Sequence, residues 1–177
     1  MMDAEAEAGP EGGGGLVLGV LAIIADDQRS AEDRVTDLVK VLDRAVFDAL
    51  LGDRDHGIEE QILVRAVVAA GRPLLKQVRV PTIAATLAAA EVYARAPGDE
   101  TRQAYFKCAT SSYPYGSGEG HYGLAESCEP GSGCITGAGT LLCVGRQVGF
   151  EVVIEALAAE LVPWLHAWAG QVGTTEA

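Results

Sequence analysis

Between Ser30 and Leu51 the apolar residues Val35, Leu38, Val39, Leu42, Val46, Ala49 and Leu50 recur at the i, i+3, i+4, i+7 spacing of one helical stripe. Ser30 stands where an N-cap belongs, Glu32 and Asp33 follow in the first turn, and Gly52 supplies a stop. Ile62, Leu63 and Val67 predict a second helix over Ile58–Ala70, closed by Gly71-Arg72-Pro73. Leu74–Val80 alternates in part and reads as extended. An alanine-rich helix is expected over Thr82–Ala96, then a short one from Asp99 to Cys108 or Thr110. Val153, Ile154, Leu157, Leu161 and Leu165 mark a last long helix. It begins between Cys134 and Phe150 and ends at Gly170, with Pro163 as a kink or break.

The apolar run Leu16–Ala25 is too short for periodicity to separate strand from helix. Helix is preferred, because the remainder of the chain offers no partner strand. The fold class predicted is therefore all-α: a single-domain bundle of about four to six helices with a long glycine-rich loop before the last. Residues 1–15 are expected as a flexible acidic and glycine-rich tail, 16–170 as the helical domain, and 171–177 as a flexible C-terminus.

Composition narrows the function classes. Of 177 residues 49% are apolar, enough for a core, and the formal net charge is −12. Only three lysines occur (Lys40, Lys76, Lys107), so a nucleic-acid or anionic-membrane partner is not expected. The acidity suits attraction of cations or of a basic protein. Leu16–Ala25 is shorter than the roughly 20 residues a membrane span needs, and no Lys or Arg precedes it as a secretory signal requires. The localisation expected is cytoplasmic, where cysteines serve as thiols, metal ligands or redox groups more than as structural disulfides.

All four cysteines, Cys108, Cys128, Cys134 and Cys143, lie in one glycine-rich stretch that also holds His121. Glycine lets a backbone approach a ligand closely. Four thiolates complete a tetrahedral set, with His121 as a further ligand or a proton carrier. The gaps of nineteen, five and eight residues contain none of the close pairs of zinc ribbons. An iron–sulfur cluster is therefore favoured and zinc is the alternative cofactor. The expected function is a metal-binding, iron–sulfur protein for electron transfer, sensing or support of an enzyme. Two other readings stand beside it. The cysteines are small buried hydrophobes, as Leu-Leu-Cys143-Val suggests, in a module that binds a protein partner or its own copies. Or the protein is a thiol enzyme using Cys128 or Cys134.

Asp53-Arg-Asp-His56-Gly57 resembles the Asp-Gly-Asp-His-Gly turn of the dihydroxyacetone-kinase nucleotide-binding domain, which implies a metal-bound phosphate site in an all-α fold. Arg54 replaces the central glycine, and the resemblance covers five residues; an ordinary helix–helix turn is the default. Glu151, Glu155 and Glu160 are expected on a solvated helix face, and His166, between Trp164 and Trp168, as partly buried packing.

The sulfur-centred reading makes a direct prediction. Protein prepared without air carries stoichiometric iron and sulfide and a visible charge-transfer spectrum; colourless, metal-free protein removes it.

Overall fold

A computed structural model of the chain describes residues 11–52, 57–77, 81–111 and 138–173, and over these the protein is all-α. The helices described are α1 (Glu11–Ala25), α2 (Ala31–Leu51), α3 (Ile58–Gln77), α4 (Pro81–Arg95), α5 (Asp99–Ser111), α6 (Gly139–Val148) and α7 (Phe150–Gly173). The cap read at Ser30 forms: the Asp33 N–H donates to Ser30 Oγ at 3.1 Å, and the hydroxyl donates to the Asp33 carboxylate at 2.7 Å. The α2 stripe is buried as the periodicity requires, with Val35, Leu38 and Leu42 almost wholly out of water. Pro81 opens α4, where its missing N–H costs nothing.

α3 is the helix the others surround. It packs against α7, α4, α6, α2 and α1. Residues on every side of it, among them Ile62, Ala66, Val67, Ala69, Ala70 and Leu74, are buried. Most of these join one core with α1, α2, α6 and α7, while Val64 and Val68 join a smaller cluster with Ala90, Tyr93, Ala94 and Tyr105. α5 packs its backbone against α4 alone among the described helices. That asymmetry creates the site described below.

Three boundaries differ from the pattern reading. α1 begins at Glu11, not Leu16. Its Gly13 sits so close to Ile58 and Trp168 that a Cβ there would stand 3.0 Å from Ile58 Cγ2 and 3.2 Å from Trp168 Cη2. Gly13 is thus used for close helix approach, whereas a Cβ at Gly14 or Gly15 would meet nothing within 4 Å. α3 does not stop at Gly71-Arg72-Pro73 but runs through Pro73 to Gln77, so Leu74–Gln77 is helical, not extended. An interior proline costs about 3 kcal/mol. The full burial of Leu74, a side-chain transfer of about 1.5–3 kcal/mol, offsets most of it. Finally, the last long helix begins at Phe150, within the expected range, and a separate helix, α6, which the pattern did not show, precedes it. Gly149 adopts φ +101°, a left-handed value that favours glycine, and its N–H donates to the Gly145 carbonyl at 2.9 Å. Pro163 lies inside α7 without ending it, flanked by the buried Leu161 and Leu165.

The outer face of α7 carries Glu151, Glu155 and Glu160, as expected of a solvated face. His166 is exposed there, not packed as its tryptophan neighbours suggested. By length and composition Phe150–Val172 would suffice to cross a membrane; the Val153, Leu157, Leu161 and Leu165 stripe is the part it buries against the other helices.

Two glycines yield opposite predictions. A Cβ at Gly145 would lie 2.3 Å from Phe150 Cδ1, whereas one at Gly19 meets nothing within 4 Å. Gly145→Ala is expected to lower stability by about 1–3 kcal/mol through overpacking. Gly19→Ala is expected to raise it by roughly 0.5–1 kcal/mol through helix propensity. Urea unfolding monitored by circular dichroism measures both.

Candidate functional site

Because α5 touches α4 but stands off from α2, a cleft of about 610 Å³ opens between α2, α3 and α5. Its apolar walls are Val46 and Phe47 from α2, Leu63 and Val64 from α3, and Tyr105 and Phe106 from α5. Volume and lining are those of a small-molecule site, which is concave and apolar with few polar groups. Four ionic side chains complete it: Asp43 and Arg44 on α2, Glu60 on α3, and Arg102 on α5.

Glu60 and Arg102 cross the cleft floor. Arg102 Nε donates to Glu60 Oε1 at 2.8 Å, with only 23% and 11% of the two side chains exposed. This pair ties α5 to α3 where the backbones do not meet. The Tyr93 hydroxyl donates to the same Glu60 carboxylate, and the ring is fully buried. Burial first, then the Glu60 charge, push the Tyr93 phenol well above the ordinary tyrosine range. Tyr93 stacks on Tyr105 at 6.2 Å between centroids, and the Arg102 guanidinium lies 5.0 Å from the Phe106 ring centroid. The floor is therefore rigid and its charges are neutralised. Gln61 is also buried, and among the described residues neither atom of its side-chain amide meets hydrogen-bond geometry with a partner.

Asp43 stands at the other end. Surrounding hydrocarbon raises its carboxyl above the usual carboxylate range, while the Ala138 amide hydrogen-bonds it and works the other way. The carboxylate thus faces the start of α6, where a negative charge is favourable. Arg44 is exposed beside it.

A second polar cluster joins α3, α4 and α7. Arg72 bridges Glu91 at 3.0 Å and Glu160 at 2.9 Å, and Arg95 bonds Glu91 from the adjoining turn. Arg65 donates to the Ala94 carbonyl and lies over the Trp164 ring at 4.3 Å. Burial lowers the Arg65 pKa. With its carboxylates taken up by arginines and only about 90 Å³ of space, this cluster serves as a clamp between helices.

The residues singled out in the sequence fare differently. Cys108 is half-buried on α5 and keeps its thiol. Cys143 is buried in the main core on α6, as its Leu-Leu-Cys-Val setting suggests, and is disulfide-bonded. Cys128, Cys134 and His121 fall outside the described residues, as do Asp53 to His56. Among the described residues no three His, Cys, Asp or Glu side chains gather as metal ligands. The cleft itself was not read from sequence. Its one visible signal was Glu59-Glu60-Gln61 in the first turn of a largely apolar helix, all three of them buried.

Removing one member of the floor pair tests its role. Glu60→Ala leaves the Arg102 charge and the Tyr93 hydroxyl without their acceptor, so a loss of about 2–4 kcal/mol is expected. Glu60→Leu combined with Arg102→Met recovers much of that loss, because neither charge is then left unpaired. Thermal or denaturant unfolding of the single and double variants gives the comparison. Comparison of the chain with protein-family models, with curated proteins and with solved structures finds no match.

Proposed function

We propose that the protein binds a small, largely apolar ligand in the cleft between α2, α3 and α5. The observation that carries this reading is the cleft's construction. Six apolar side chains enclose about 610 Å³, over a floor whose ion pair is already satisfied. Hydrocarbon surface facing water costs about 25 cal/mol per Å², so the exposed Phe47 and the half-buried Val46 and Phe106 gain by being covered, with the buried Leu63, Val64 and Tyr105 behind them. The rigid floor supports binding more than turnover, since no nucleophile stands beside a base among the residues that line it.

A second reading has one specific support. Phe47 and Leu51, one turn apart on α2, are 61% and 73% exposed, an apolar edge continuous with the cleft rim. Such an edge suits contact with a second copy of the chain. Light scattering separates the two, since ligand binding needs no change of mass.

The neutral, solvent-sensitive dye Nile red tests the main proposal. It is expected to bind one per chain with a blue-shifted emission. Val46→Trp, which fills the cleft from its half-buried rim, should weaken that binding by about tenfold or more, or roughly 1.4 kcal/mol. No binding, or equal binding by the variant, contradicts the proposal.

A further inference from the structure

Resting on the cleft reading above, we infer that the ligand is a hydrophobic organic ammonium ion, with its cation at Asp43 and its apolar body against Phe47, Leu63 and Tyr105. The charges along the cleft decide the sign. Arg102 is neutralised by Glu60 at 2.8 Å. Asp43, by contrast, has only the neutral Ala138 amide as a partner among the described residues. Asp43, exposed at the mouth, is thus the carboxylate of the cleft without an ion-pair partner among the described residues, and it stands beside the hydrocarbon walls. Hydrocarbon disfavours its ionised form, and an ammonium brought by a ligand would restore it.

The rings point the same way. Asp43 and Phe47 stand at i, i+4, one above the other on α2, so a cation at the carboxylate lies within reach of the Phe47 face. Tyr105 and Phe106 add two more aromatic rings. Aromatic faces attract cations and repel carboxylates, and Arg102 already uses Phe106 in this way. The field of the whole chain, with net charge −12, adds to the attraction. Arg44 offers the opposite preference at the rim. An anion held there would sit beside the Asp43 carboxylate and against the same ring faces.

Isothermal titration of the full chain at pH 7 with octylammonium, octanoate and 1-octanol tests the inference. The three share a chain and differ in head-group charge. Octylammonium is expected to bind about tenfold more tightly than 1-octanol, and octanoate more weakly than either. Asp43→Asn keeps an acceptor for the Ala138 amide. It should bring octylammonium down to the level of the alcohol and leave the alcohol unchanged. If Asp43→Asn does not fold, Phe47→Leu, at an exposed position, must lower octylammonium binding by a larger factor than 1-octanol binding. Octanoate binding as tightly as octylammonium, or an unchanged octylammonium affinity in the folded variant, overturns the inference. Binding of 1-octanol without any gain for octylammonium removes this inference and leaves the cleft reading standing; binding of none of the three removes both.

Discussion

A helix enclosed by others must find partners for the charges it carries, and α3 is such a helix. Its first turn brings Glu59, Glu60 and Gln61 out of water, and Arg65 lies partly buried further along. Charges so placed are costly unless paired and hydrogen-bonded. Glu60 is satisfied by Arg102 and Tyr93, and Arg65 donates one guanidinium N–H to the Ala94 carbonyl and lies over the Trp164 ring. These partners come from α4, α5 and α7. The polar residues of α3 therefore fix where α4, α5 and α7 sit, and the apolar ones supply the packing.

The cleft is a consequence of that arrangement. α5 is held to α3 by a long side chain, Arg102, rather than by backbone contact, so it stands away from α2. Leu63 and Val64 of α3, themselves buried, form the back wall of the gap, beneath aromatic side chains from α2 and α5. A spacer made of a guanidinium and a carboxylate also keeps the gap from collapsing, because closing it would strip water from Asp43 and Arg44 at the mouth. Stability and binding are thus linked through one pair of residues.

Much of the fold was legible in the sequence. The α2 stripe, the Ser30 cap and the alanine-rich helix expected over Thr82–Ala96 all rest on local rules, and each forms, the last as α4. What failed was decided at a distance. Pro73 should end a helix, but Leu74 is buried by the surrounding helices and carries α3 onward. The break at Gly149 lets Phe150 lie against Gly145, a contact that no spacing rule encodes. The cleft was hidden for the same reason: Glu60 and Arg102 are 42 residues apart, and neither stands out alone. The cysteines stood out by residue type. The convergence proposed for them turns on Cys128, Cys134 and His121, outside the described residues, while Cys143 packs in the core.

The claim on which most depends is that open, apolar space exists between α2 and α5. Xenon, uncharged and selective for apolar space, probes it without regard to any particular ligand. In methyl-labelled protein under xenon pressure, the resonances of Leu63 and Val64 should shift most, in a saturable manner. Shifts confined to the main core at Leu157 and Leu161, or none at all, would mean that α5 lies closed upon α2 and that the site does not exist.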